Sequence, residues 1–306
     1  MTETTLKTSD LHISAIVQIG KLSSEINLEE LVKAILRHNP VKTEEERAKC
    51  TQINKTLLYV ELGDMNIGSN GKKVPKKIKP KKYFYNQVTL HIYNTKRINT
   101  KIFNNGRIQM TGIKLETQGK ETIELFLSEV NKFSDESKKL VFGSTVIEQV
   151  EPIETVLINS DFDIYNEVNR ENLHRLIVEN GYYSSYEPCT YPGVNIKYYY
   201  NAQKNNFGIC DCETPCSGKY IKGKDDACKK ITIAVFKSGK IIITGGRTKG
   251  NIDSAYKFIT EFIHEHKETI VIPMNTGERW SHMFRMIRGN SDIKKEIISK
   301  DYRHLF

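Results

Sequence analysis

Residues 101–114 read KIFNNGRIQMTGIK and residues 234–247 read AVFKSGKIIITGGR. Aligned without a gap, the two stretches share Phe103/Phe236, Gly106/Gly239, Ile108/Ile241, Thr111/Thr244 and Gly112/Gly245. They also keep a positive charge at Arg107/Lys240 and at Lys114/Arg247. Each stretch predicts a strand, a tight turn using the glycine, and a second strand. After the first hairpin, Ile123, Phe126, Leu127 and Val130 recur with helical spacing; after the second, Ala255, Phe258, Ile259, Phe262 and Ile263 do the same. Both are amphipathic helices with one apolar stripe.

The upstream flanks repeat as well. Apolar runs at Ile13–Ile19 and Val156–Ile164 precede helical stripes made by Leu28, Leu31, Val32, Ile35 and Leu36, and by Leu173, Leu176 and Ile177. Asn27 and Glu30 have the spacing of a capping box. Each half therefore reads strand, helix, several strands, helix, which identifies an internal duplication and an α+β fold. The first repeat occupies 1–135 and carries a lysine-rich insertion at about 63–82. The second occupies 136–269 and carries a cysteine-rich insertion at about 201–229, and a basic extension follows over 270–306.

Composition narrows the function classes. The chain has 306 residues, enough to bury a core, and a net charge of +9, which suits a polyanionic partner or simply solubility. No apolar run approaches the ~18 residues that a membrane span needs. Met1 to Asp10 lacks the apolar stretch of a secretory signal, so an intracellular protein is expected. There is no phosphate loop, HExxH or GxSxG pattern, and Asp161 and Asp163 sit in a strand-like run, so no enzymatic activity is expected.

Alternation along the second hairpin puts Ala234, Phe236, Ile242 and Thr244 on one face and Ile233, Val235, Ile241 and Ile243 on the other. Helices can cover one apolar face. The other is either the second side of a buried core strand or a binding surface. Arg107, Lys240, Lys114 and Arg247 rim that face at matching positions in both halves. Such a rim suits phosphates, with the apolar residues meeting sugars and base edges; a merely solvated rim is the alternative.

These residues resemble the TATA-box-binding protein family, and more closely its divergent forms in large DNA viruses. Two F-x-x-G-[KR]-x-x-x-T-G-x-[KR] hairpins carry the likeness. So does Tyr183-Ser184-Ser185-Tyr186-Glu187-Pro188 running into Tyr191-Pro192-Gly193, which is similar to the family's second stirrup loop. The resemblance covers roughly residues 10 to 270 and implies a saddle: a curved antiparallel sheet of two pseudo-symmetric halves, helices on its convex side. As the TATA-box-binding proteins do, such a chain would bind A·T-rich promoter DNA in the minor groove, wedge base steps open and bend the duplex.

Residue by residue, the resemblance implies wedges at Phe103, Phe236 and Tyr191. The fourth falls to Tyr85, with its neighbour Phe84 the other choice. Thr111 and Thr244 would face the bases with Ala234 and Ile242, and Arg107, Lys114, Lys197, Lys240 and Arg247 would contact phosphates. Where the family reads the groove floor with asparagines, Ser14 lies near the first position, Leu157 occupies the second, and Asn159 follows on the same strand face. Lys101 and Gln109 stand where the family is apolar. Glu187, Pro188, Cys189 and Thr190 form the partner-binding stirrup, with Cys189 and Thr190 replacing an acidic and an apolar residue.

The resemblance implies a monomer on double-stranded DNA, a transcription factor IIB-like partner, RNA polymerase, and residence in the nucleus or a cytoplasmic viral factory. The other reading is a protein-interaction scaffold of the same fold with weak or no sequence-specific DNA binding. DNA binding needs no cofactor. Cys210, Cys212, Cys216 and Cys228, four cysteines in 19 residues, could hold a structural zinc, reduced thiols or a disulfide. Seven lysines between Lys72 and Lys82 form either a DNA or nuclear-targeting patch or a solvated loop.

Overall fold

The computed structural model describes residues 7–39, 51–63, 65–69, 85–204, 208–219 and 227–272. They fall into two compact units: Ser14–Ile158, and Asn159 onward together with the residues up to Ile13. The chain is α+β, with antiparallel strands in both units.

The first unit contains β1 (His12–Leu22) from Ser14 on, α1 (Leu28–His38), β2 (Leu57–Leu62), β3 (Met65–Gly68), β4 (Gln87–Asn94), β5 (Lys96–Phe103), β6 (Arg107–Ile113), α2 (Gln118–Val130), α3 (Asp135–Phe142) and the start of β7 (Gln149–Asp163). Its strand order is β3-β2-β4-β5-β6-β1. The second unit takes the end of β7, then β8 (Glu167–Val168), α4 (Arg170–Glu179), β9 (Tyr183–Ser185), β10 (Val194–Tyr200), β11 (Lys229–Val235), β12 (Lys240–Gly246), α5 (Lys249–Glu265), α6 (Lys267–Ile270) and β13 (Val271–Ile272). Its order is β9-β10-β11-β12-β7, the plan of the first unit without the edge strand β3. The two hairpins that open the sequence reading are β5–β6 and β11–β12.

Strand alternation builds the cores. In the second unit Ile231, Ile233, Val235, Ile241 and Ile243 are fully buried, as are Ile252, Ala255, Ile259 and Ile263. In the first, Ile98, Ile102, Ile108, Met110 and Ile113 are buried with Ile123, Phe126 and Val130. Complete burial of such a side chain stabilises the fold by about 1.5–3 kcal/mol. In β1, Gly20 lets the strand approach α2, because a Cβ there would stand 2.6 Å from the Ile123 side chain.

Capping agrees with the sequence in part. Asn27 accepts from the Glu30 backbone N–H, 3.2 Å, but the Glu30 carboxylate turns to Lys33 (3.0 Å) and Arg37 (2.9 Å) and leaves the reciprocal bond unmade. The Asn27 N–H donates instead to Val141 O at 2.8 Å, and the two cations hold the carboxylate by charge-assisted bonds. The reciprocal pair forms instead at α5, between Thr248 and Asn251.

Both hairpin turns use the repeated glycine at positive φ, +79° at Gly106 and +84° at Gly239. A Cβ at Gly106 would stand 2.5 Å from the Ser24 carbonyl oxygen, and one at Gly239 would stand 2.2 Å from that of Asn166. Each turn thus lacks room as well as suitable dihedrals. Gly106→Ala and Gly239→Ala are each expected to lower stability by about 2 kcal/mol or more, read from urea midpoints. Gly143, φ +67°, has nothing within 4 Å of a Cβ. Gly143→Ala should therefore cost only the dihedral part, about 1 kcal/mol.

Candidate nucleic-acid interface

Hydrogen bonds superimpose the two units residue by residue. Leu22 N–H donates to Gly106 O (2.9 Å) and Ile164 N–H to Gly239 O (3.2 Å), so β1 and β7 enter their hairpins at matching positions. Counting back five residues makes Val17 the counterpart of Asn159. Thr111 stands opposite Val17 and Asn99; Thr244 stands opposite Thr232 and donates its hydroxyl to Asn159 Oδ1. The register also pairs Lys101 with Gln109 and Ala234 with Ile242, which places these four at one level of the two hairpins.

The same device holds the basic residues that follow. Lys114 N–H donates to Gln118 Oε1, 2.8 Å, and Arg247 N–H to Asn251 Oδ1, 2.9 Å. Gln118 and Asn251 lie in the first turns of α2 and α5, each four residues after the cation it fixes, at the first and the third helical position respectively. A side-chain amide thus fixes the backbone at each Thr-Gly-x-[Lys/Arg] end. The gap-free alignment of the two hairpins extends to this pair, but only the hydrogen bonds show that the two amides do the same work.

In the second unit, the face away from the core presents Asn195, Lys197, Thr232, Ala234, Ile242 and Thr244. Ala234 is 4% exposed; the other five are half-buried. Lys197 Nζ donates to Thr232 Oγ1 at 3.0 Å. At the end of this face Phe236 and Tyr191 lie with ring centroids 5.8 Å apart. Gly193 permits the pair, because a Cβ there would stand 2.9 Å from the Tyr191 ring and 3.1 Å from that of Phe236. The stirrup before Tyr191 is closed by Thr190 N–H and Tyr191 N–H donating to Glu187 O, each 2.9 Å. Its Glu187, Pro188, Cys189 and Thr190 are all exposed. Arg170 stacks 5.3 Å over the Tyr186 ring and donates to the Pro192 carbonyl, tying the stirrup to α4.

The first unit presents a more polar face. Thr89, Lys101 and Gln109 lie across one level; His91, Asn99 and Thr111 lie across the next. His91 stands where Lys197 stands in the second unit. Its ring lies 3.1 Å from Asn99 Nδ2, and its centroid is 5.0 Å from that of Tyr59. Gln87 opposes Phe103, while Val194 opposes Val235, so Gly193 falls beside Phe236. Two residues upstream of these partners lie Tyr85 and Tyr191. Register thus makes Tyr85 the counterpart of Tyr191, and its ring is 70% exposed. Phe84 lies outside the described residues, as do the lysine run 72–82 and the tail beyond Ile272. Ser14 is half-buried in β1, and it is Val17, three residues on, that opposes Thr111.

The basic rim is uneven. Arg107 is exposed, while Lys114 and Arg247 are half-buried. Lys240 is ion-paired with Asp161, whose other oxygen is 3.6 Å from His12 Nδ1. Burial and the nearby Lys230 push the Lys197 amine below the usual lysine range; burial and Arg247 do the same to Lys229. Burial is the larger cause at both, and an anion paired with either amine offsets it. Asp161, His91, Asn99 and Thr232 escaped the sequence reading as parts of this face because their places follow from cross-strand register alone.

Beside these cations, at the ends of β10 and β11, Cys210, Cys212, Cys216 and Cys228 have all four sulfurs within 4.8 Å of one another. Backbone N–H groups of Cys216 and Cys212 hold the Cys210 thiol down at about 7, whereas burial pushes that of Cys228 up.

Likenesses to known proteins come from a family model, a curated relative and solved structures. The family model described as transcription factor TFIID (or TATA-binding protein, TBP) matches residues 169–266. A TATA-box-binding protein-like protein of Acanthamoeba polyphaga mimivirus is 28% identical over 233 residues, covering 71% of this chain and 59% of that one. The chain thus spans about three fifths of that relative's length. Among solved structures, the Methanococcus jannaschii TBP aligns at 19% identity and a TM-score of 0.46, over 84% of this chain and 99% of that one.

Proposed function

We propose, from the match of residues 169–266 to the TATA-binding-protein family model, that this divergent chain is a transcription initiation factor without enzymatic activity. It binds A·T-rich promoter DNA through the minor groove, bends it, and recruits the transcription machinery. The observation that carries this reading is the recurrence, at matching register in both units, of a phenylalanine, a threonine and a flanking cation on one strand face, with a tyrosine upstream in each and the two rings in contact in the second. An apolar face ending in two rings suits the sugar walls and opened base steps of a minor groove. Lys197, half-buried on this face with an amine depressed first by burial and then by Lys230, suits a phosphate partner.

Phe103, Tyr85, Phe236 and Tyr191 act as wedges, and Thr111, Thr244, Ala234, Ile242 and Asn159 lie along the groove floor. Arg107, Lys114, Lys197, Lys240 and Arg247 meet phosphates. Glu187, Pro188, Cys189 and Thr190 present a surface to a transcription factor IIB-like protein, which links the monomeric DNA complex to RNA polymerase. The working place is the nucleus or a viral factory.

Sequence preference is expected to be broad and asymmetric. Only an A·T pair leaves the minor-groove floor free of the guanine amino group, so Ala234, Ile242 and Thr244 favour A·T. In the first unit Val17 replaces an anchoring amide, and Lys101 and Gln109 bring polar groups to the floor. Selection from random duplexes should return A·T-rich sites with a looser consensus under one half. A sharp consensus containing G·C would refute the assignment of this face. Failure to retain any duplex would favour a protein-interaction scaffold.

A further inference from the structure

In the first unit a single residue, Thr95 at φ +57°, joins β4 to β5. In the second, residues 201–228 replace that turn between Tyr200 and Lys229. The described part of this insertion has almost no core of its own. Ile209 is 45% exposed, and residues 211–219 are exposed or half-buried except Gly218. Something other than apolar burial must hold it in one shape.

We propose that Cys210, Cys212, Cys216 and Cys228 bind one structural zinc ion that staples this insertion to the β10–β11 hairpin. Zinc with four thiolates at ~2.3 Å in a tetrahedron requires sulfurs about 3.8 Å apart. Cys212 and Cys228 stand at 3.6 Å, and all four sulfurs converge within 4.8 Å. All four are free thiols. Two disulfides would draw the sulfurs into two pairs at ~2.05 Å, with no need for four to share one centre.

The surroundings serve thiolates rather than thiols. Cys216 N–H donates to Cys210 Sγ at 3.4 Å, and Asn201 Nδ2, in a buried side chain, donates to Cys228 Sγ at 3.9 Å. Lys204 Nζ lies 3.7 Å from Cys212 Sγ. These donors offset part of the double negative charge of a zinc tetrathiolate. An all-sulfur closed set selects a soft, tetrahedral ion and leaves no coordination position for substrate, so the site is structural. The staple also seats the insertion on the sheet: Lys230 N–H donates to Gly218 O at 3.0 Å, and Tyr199 N–H donates to Gly208 O at 2.9 Å. This proposal rests on the second unit alone and is independent of DNA binding.

The test uses the full chain purified without added metal or chelator. Elemental analysis should find about one zinc per chain, and native thiol titration should find the four cysteines protected until a chelator removes the ion. Cobalt exchanged for zinc should give thiolate-to-cobalt charge-transfer absorption and the visible bands of a tetrahedral site. That readout needs no variant to fold. Cys212→Ser and Cys216→Ser should lose nearly all the metal, while Cys189→Ser, in the stirrup, should keep it. Metal-free protein whose four thiols react at once would overturn the site. So would a pair of disulfides in protein purified under reducing conditions, iron in place of zinc, or undiminished zinc in Cys212→Ser.

Discussion

Alanine at both Phe103 and Phe236 is expected to abolish DNA bending and to weaken binding on the order of 100-fold or more. Base–aromatic stacking contributes about 1–3 kcal/mol per ring, and the double variant removes one ring from each unit. Folding should suffer less, because both rings are only half-buried and alanine leaves no enclosed cavity. The end-to-end distance of a doubly labelled duplex reports bending, and a urea midpoint reports stability. The expected result is loss of the bent population with a stability change of about 1–2 kcal/mol, smaller than the ~3–5 kcal/mol of a fully buried phenylalanine. A double variant that bends DNA normally would remove the wedges from the mechanism. Severe unfolding would reassign both rings to the core. Tyr85→Ala and Tyr191→Ala should act in the same direction.

Salt is expected to have an effect of similar size. If Arg107, Lys114, Lys197, Lys240 and Arg247 each neutralise one phosphate, the slope of log affinity against log salt is about −4.5, from roughly −0.9 per contact. A fourfold rise in salt would then lower affinity about 500-fold. Lys240 must exchange its internal partner to take part, since Asp161 already holds it. Removing that competitor frees a cation and removes a negative charge facing the phosphates. Asp161→Asn is therefore expected to raise affinity at low salt about 3- to 10-fold, within the range of a partly buried ion pair, and to flatten nothing else in the profile. Lys240→Ala should reduce the slope by about 0.9 and weaken all duplexes alike, because phosphate contacts carry no base information. Titrations at several salt concentrations decide both. A slope near zero would contradict the rim, and an unchanged or lowered affinity for Asp161→Asn would show that Lys240 works only within its ion pair.

Much of this architecture is legible in the chain because duplicated local patterns obey local physics. The turn glycines Gly106 and Gly239, the Thr-Gly pairs and the apolar helix stripes each state a conformation within a few residues, and their repetition in one order states a two-unit plan. The lesser features were not legible. The capping box expected at Asn27 was undone by Val141, whose carbonyl takes the Asn27 N–H, and by Lys33 and Arg37, whose side chains reach Glu30 from later in the helix. The choice between Tyr85 and Phe84 depended on a gap whose length sequence cannot set. The pairing of Gln87 with Phe103 decides that Tyr85 matches Tyr191.

The sequence by itself determined the α+β repeat, the hairpin residues and the four-cysteine insertion, because each is written in neighbouring positions. Only the tertiary structure decided which residues share a face. His91 and Lys197 come from unlike sequence, yet occupy equivalent places because Asn99 and Thr232 oppose them across a strand pair. Asp161 and Lys240 meet across 79 positions of chain. Cross-strand register is set by hydrogen bonds between distant segments and by which side of each strand is buried. Neither is encoded in the order of residues along one strand.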